Sequence, residues 1–234
     1  MLNAVLAGKK RGTGLQNQLI ALELAEGAED VLTASVFERL AYLPEALLSA
    51  VLSELLGQPF GPLQSIAYWP SWYLHDGTRV EPDVLLRDAQ RAVLVESKRH
   101  DHVRQQRADQ LANELLAGWR EEHLGERCIL LALGGLRSTH ERDCQQLLDE
   151  VLQHLPTGSE SRFELICRSW QQLYQALEAH IDPDSPPGCQ RLLDDIAKCY
   201  AWHGLRTHPM RWLGDLQPLT LDIHPSAFAA WSLK

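Results

Sequence analysis

Three side chains in one short stretch could do chemistry together: Asp83, Glu96 and Lys98, within RVEPDVLLRDAQRAVLVESKRHDHVRQQRADQ, residues 79–110. Two runs rich in Val and Leu, 80–86 and 92–98, flank a polar connector at 87–91 short enough for a hairpin. With the turn centred between Ala89 and Gln90, facing residues have numbers summing to 179, so Asp83 meets Glu96 and Glu81 meets Lys98. Side chains alternate along a strand, which places Asp83, Glu96 and Lys98 on one face. Cross-strand carboxylates repel, and the pair calls for a cation. An oxygen-only ligand set of one or two carboxylates suits a hard ion, Mg²⁺ or Mn²⁺. The bland alternative for Lys98 is an exposed ion pair with Glu81, worth about 0.2–1 kcal/mol. That alternative leaves Asp83 opposite Glu96 unexplained.

The elements around this hairpin read as follows. A helix is expected over 15–24, a second over 29–41 with Leu32, Val36 and Leu40 on one face, and a third over 45–56 between Pro44 and Gly57. The aromatic run 65–74, broken by Pro70, reads as a strand that is bulged or at a sheet edge. A helix over 103–118 turns Ala108, Leu111, Ala112 and Leu115 inward and stacks Gln106 and Gln110 on a neighbouring face. The continuous apolar run 127–134 suits a central strand buried on both sides. A helix (139–155), a strand (163–167) and a helix (169–180) follow. The Pro-rich segment 181–187 reads as a linker, 190–203 as a helix, and the tail with Trp212 and Trp231 as a docking segment.

In these residues the chain resembles the PD-(D/E)XK nuclease superfamily. Pro82-Asp83 supplies one half of its motif, Glu96-Ser97-Lys98 the other, and Gln110-Leu111 looks like the glutamine motif of the RecB-type branch, with Glu114 where that branch carries a Tyr. The resemblance implies an α/β fold: a restriction-endonuclease-like αβββαβ core, about residues 29–133, with a mixed central sheet flanked by helices and with helical N- and C-terminal additions. A nuclease-like domain over 1–180, the linker 181–187 and a C-terminal helix and tail over 188–234 complete the expected organisation. The implied activity is metal-dependent hydrolysis of DNA phosphodiester bonds. Mg²⁺ or Mn²⁺ would be held by Asp83, Glu96 and the carbonyl of Ser97, and Lys98 would orient the attacking water. Glu29 matches the acid at the start of the first core helix, although any acid there also favours the helix dipole. Gln110 would steady Lys98 or the substrate, and Arg99, Arg104 and Arg107 are the nearest candidates for phosphate contacts.

Composition bounds the partners. The chain has 234 residues, a net charge of −9 and five scattered cysteines with no CxxC, which read as reduced thiols of a cytoplasmic protein without a zinc site. No stretch has the apolar length of a membrane span. Residues 79–107 carry seven basic against five acidic groups, whereas 108–187 carry six against fourteen. The acidity therefore lies behind the candidate site, but a surplus of two is a weak grip on a polyanion. A partner protein that delivers DNA or restrains the cutting is expected, as in the nuclease subunit of a bacterial phage-defence, restriction or transposition system. Self-association as a homodimer stays open. The alternatives are an interaction module that keeps the fold without using the site, and a nuclease for RNA or branched junctions.

Overall fold

The computed structural model describes residues 28–209. The expected helix over 15–24, the basic N-terminal arm, Trp212 and Trp231 lie outside the described residues. In chain order the elements are α1 (Ala28–Leu40), α2 (Glu45–Leu56), β1 (Ser65–Tyr68), β2 (Trp72–Tyr73), β3 (Arg79–Val80), β4 (Val84–Arg87), β5 (Ala92–Ser97), α3 (Ala108–Arg120), β6 (Cys128–Leu133), α4 (Glu141–Leu152), β7 (Phe163–Arg168), α5 (Trp170–His180) and α6 (Pro187–His203).

Five strands form one mixed sheet in the order β1-β4-β5-β6-β7, and β2 and β3 form a separate two-stranded ribbon. The β4–β5 hairpin has the expected register, with Val84 opposite Val95 and Arg87 opposite Ala92. Its turn is fixed by Asp88, whose carboxylate accepts from the backbone N–H groups of Gln90 and Arg91 at 2.7 Å each and from Gly61 at 2.7 Å. β6 then joins β5 in parallel, with Glu96 beside Ala132 and Ser97 beside Leu133. That crossover is made by α3.

Alternation along the strands divides the core. Val84, Leu86, Val93, Val95, Ile129, Leu131 and Leu133 face α1, α2, α5 and α6. Leu85, Leu94, Leu130 and Ala132 face α3 and α4, with Leu111, Leu115 and Leu147 packed over them. Both faces of β5 and β6 are covered, which is why residues 92–95 and 128–133 are unbroken apolar runs. Each fully buried Leu there contributes about 1.5–3 kcal/mol.

Three expectations are corrected. The strand expected over 80–86 is two strands, because Pro82 has no N–H to give a ladder and interrupts the pairing just before Asp83. The strand expected over 65–74 likewise stops at Trp69 and resumes as β2 in the ribbon. The helix expected from Val103 begins at Ala108. Backbone N–H groups of Gln105 and Gln106 are drawn instead to Gly135 O, at 2.9 and 3.1 Å, which holds this stretch as a loop. Gln106 and Gln110 consequently do not share a helix. Residues 181–186 of the expected linker connect two helices with a common core, Pro187 already belonging to α6, which contributes Cys189, Leu193, Ile196 and Tyr200.

Candidate functional site

The acids meet where β5 ends, beside the carboxyl end of β6. Glu96 follows Ala92 and Leu94 onto the α3 face of the sheet and is 2 % exposed. Asp83 sits one residue before β4 and is 7 % exposed. Here the side chain takes over from the ladder: Asp83 Oδ2 accepts from Ser97 N and from Ser97 Oγ, both at 2.8 Å. Its other oxygen, Oδ1, accepts from the Trp69 indole Nε1 at 3.1 Å, and Trp69 N donates to Asp83 O at 3.0 Å. Trp69 makes these bonds from a left-handed backbone, φ +45°. For a bulky residue that conformation is an outlier, the following Pro70 disfavours anything but an extended one, and the cost is of order 1–3 kcal/mol.

Lys98 spans the site. Its Nζ lies 2.5 Å from Glu96 Oε1 and 3.2 Å from Glu29 Oε1, so Glu29 in the first turn of α1 is part of the constellation. Glu29 Oε2 also accepts from Arg99 N at 3.0 Å. One turn along α1, Thr33 Oγ1 lies 2.6 Å from Ser97 Oγ. The exposed pairing of Lys98 with Glu81 is not formed; Glu81 bonds Arg79. The backbone around Lys98 is fixed by the Trp170 indole, which donates to Lys98 O at 2.7 Å, and by Gly134 and Gly135, both with positive φ. A Cβ at Gly134 would lie 2.3 Å from Lys98 O, and one at Gly135 2.4 Å from Lys98 Cβ, so the close approach requires glycine.

Gln110 on α3 reaches the same acid: its Nε2 donates to Glu96 Oε1 at 2.7 Å and to Glu114 Oε1 at 3.0 Å. Glu114, 1 % exposed, is a fourth carboxylate that the sequence reading did not place here. Its signal was present, since an acid between the inward-facing Leu111 and Leu115 interrupts the apolar face of α3. Gln106, also missed, precedes the helix and donates from Nε2 to Glu96 O and Gly134 O, at 3.1 Å each. Trp69 and Thr33 carried no signal of their own, because aromatics in strands and Thr in helices are ordinary core residues.

Charge is unbalanced. Four carboxylates, Glu29, Asp83, Glu96 and Glu114, surround one ammonium. Burial pushes Asp83 up to about 6, against the opposing hydrogen bonds from Ser97. Burial, reinforced by the charges of Asp83 and Glu114, raises Glu96 well above the carboxylate range. Burial and the charge of Asp83 raise Glu114 to about 8. For Lys98 burial works against the charge, but Glu96 and Glu29 outweigh it and lift the ammonium above its ordinary value. Lys98 therefore stays charged, and the surplus negative charge is relieved by a proton on the Glu96–Glu114 pair. Glu96 Oε2 and Glu114 Oε2 are both buried, and beyond that shared proton neither finds a donor among the described residues. Among the described residues no three His, Cys, Asp or Glu side chains form a ready metal cluster, Lys98 being the cation between Glu29 and Glu96.

The arginines are placed differently from the expectation. Arg99 is buried, and Arg104 is committed to Glu150 at 2.5 Å and to Gln106 O at 3.0 Å. Arg107 alone of the three is exposed, bonded to Asp109 at 2.5 Å. Asp101 turns away from the acids to cap α5, accepting from Trp170 N at 3.0 Å and Gln171 N at 3.2 Å.

No family model matches the chain. It is 39 % identical over 221 residues to the uncharacterized protein PM0110 of Pasteurella multocida, covering 93 % of this chain and 85 % of that protein. The chain belongs to the PM0110 family. Among solved structures, the small subunit of the heterodimeric restriction endonuclease R.BspD6I superposes with a TM-score of 0.30 at 13 % identity, covering 75 % of this chain and 97 % of that one. Overlap at that level carries no argument, so the chemistry of this PM0110-family member rests on the site itself. None of its described helices is long and apolar enough to cross a membrane.

Proposed function

We propose that the chain is a metal-dependent phosphodiesterase with a restriction-endonuclease-like core, cutting DNA as the nuclease subunit of a larger bacterial system. The observation that carries this reading is the convergence of Asp83, Glu96, Lys98 and Glu29 at the end of β5, with more buried carboxylate than one ammonium balances. The strand order β1-β4-β5, antiparallel throughout, followed by α3 and the parallel β6, supports the core.

A divalent cation suits these residues. The donors are hard oxygens, and a cation would take the place of the proton held on the Glu96–Glu114 pair. Asp83, Glu96 and the Ser97 carbonyl would hold it, and Mg²⁺ or Mn²⁺ needs few protein carboxylates beyond its waters. Such an ion would supply Lewis-acid polarisation of the phosphoryl group and a lowered pKa for a water. This chain's own residues do the rest. Lys98, kept charged, presents its ammonium to the attacking water and to the phosphoryl oxygens where negative charge grows. Glu29 holds Lys98 from the α1 side, and Gln110 holds Glu96 from the α3 side. Of the three expected arginines, Arg107 is the exposed one that could reach a backbone phosphate. The small basic surplus of residues 79–107 supports delivery of the substrate by a protein partner.

A second reading, an interaction module with an unused site, is favoured by one observation, the closed Lys98–Glu96 pair at 2.5 Å. The direct test incubates supercoiled and linear DNA, an RNA and a four-way junction with the protein and Mg²⁺ or Mn²⁺, beside Asp83→Ala and Lys98→Ala. Cutting of DNA that both substitutions abolish is expected. Cutting that survives both removes the site, and failure of millimolar Mn²⁺ to bind favours the module.

A further inference from the structure

Trp69 anchors the second oxygen of Asp83, beside the Ser97 grip on the first, and neither the motif nor the resemblance marks it. It contacts Asp83 twice, through its main-chain N–H at 3.0 Å and its indole N–H at 3.1 Å. Its ring is 5 % exposed and packs against Ala34 of α1, the helix that carries Glu29 and Thr33. Its backbone is held at φ +45° immediately before a proline, where an extended conformation is strongly favoured. Strain of this kind persists only where the surroundings over-determine it. The surroundings in question are the two bonds to Asp83 and the α1 contact. An unstrained Trp69 would carry its indole away from Asp83 Oδ1 and leave the carboxylate held through Oδ2 alone.

Asp83 Oδ2 is already taken by two donors from Ser97. With Trp69 on Oδ1, three donors hold a carboxylate that has about four lone-pair sites. Both oxygens are thereby oriented and one acceptor position is left over. Partners of this kind fix a ligand's direction and commonly change metal affinity by about 10–100-fold when removed.

We propose that Trp69 is a positioning residue: its strained backbone and indole N–H lock the Asp83 carboxylate in the orientation that receives a divalent ion. The inference rests on the metal-dependent reading above. Two measurements test it. In protein labelled with ¹⁵N-tryptophan, the Trp69 indole resonance, identified as the one lost in Trp69→Phe, is followed without added metal. Asp83→Ala is expected to shift it, and a resonance that does not move overturns the contact. In the second, Mn²⁺ is titrated calorimetrically into the full chain, Trp69→Phe and Trp72→Phe. Trp72 is equally buried but stacks on His123, so it controls for lost packing. Trp69→Phe is expected to bind Mn²⁺ about 10-fold more weakly, and Trp72→Phe to bind it as the parent does. Equal affinity in Trp69→Phe, or an equal loss in Trp72→Phe, sinks the positioning role while leaving the metal reading intact. A parent chain that binds no Mn²⁺ sinks both.

Discussion

Replacing Glu114 by Gln is expected to make the protein more stable, by an amount that grows with pH. Glu114 is 1 % exposed, one of its oxygens accepts from Gln110, and the other is buried without a donor. Burial first, and the charge of Asp83 second, raise it to about 8 from an ordinary value of 4.5. A carboxyl with a raised folded pKa imposes no penalty below pH 4.5. As pH climbs, the unfolded chain releases the proton and the folded chain keeps it, so stability is lost until the folded group ionises near pH 8. At pH 7 the group sits about two and a half pH units above its ordinary value, which at about 1.36 kcal/mol each is about 3 kcal/mol; at pH 5 the figure is below about 1 kcal/mol. Gln keeps an acceptor for Gln110, carries no charge, and brings N–H groups for the orphaned Glu96 oxygen. For a chain of this size 1 kcal/mol moves Tm by about 2–4 °C, so Glu114→Gln should melt about 6–12 °C higher at pH 7 and only slightly higher at pH 5. Scanning calorimetry in EDTA at the two pH values reads this directly. A Tm gain equal at both, or a loss at pH 7, would refute the idea that this acid is held protonated.

Further outcomes follow from the same site. Mn²⁺ affinity should strengthen between pH 5.5 and 8, because an incoming cation must displace protons from Asp83, raised to about 6, and from the Glu96–Glu114 pair; a flat profile in buffered titrations contradicts the ligand assignment. Lys98→Met should cut DNA hydrolysis by about 10²-fold or more, and should also lower Tm in EDTA, since Glu29 and Glu96 lose their common counter-charge; an unchanged melt shows that the pair contributes nothing to folding. Gly135→Ala places a Cβ 2.4 Å from Lys98 Cβ at φ +61°, and a loss of at least about 1–3 kcal/mol in urea unfolding is expected. Gly125→Ala, also at positive φ but with open space around it, should cost clearly less.

The hairpin was legible because side-chain alternation has period two and its connector was short: the expected register is found from Val84 opposite Val95 to Arg87 opposite Ala92, while Asp83, just outside that ladder, turns its carboxylate to Ser97. Helices α1 and α2 were legible from Pro44, Gly57 and the spacing of Leu32, Val36 and Leu40. The loop before α3 was not, because what stops that helix is non-local: Gly135 O attracts the Gln105 and Gln106 amides from thirty residues away. Glu114 was passed over because the spacing of inward-facing residues was counted for apolar side chains alone, and this acid shares their face. The burial of Arg99 could not be read either, since a guanidinium beside a motif lysine looks like a phosphate contact until tertiary packing encloses it.

The bifurcated grip of Gln106 has a consequence for traffic. One side-chain amide stitches Glu96 O to Gly134 O, bridging the carboxyl ends of two neighbouring parallel strands. On the other flank of the acids stand Glu29 and Lys98, whose side chains are 33 % and 14 % exposed. The more exposed groups of the constellation are thus an acid and an amine already joined to each other, and a ligand coming from that flank would have to part them.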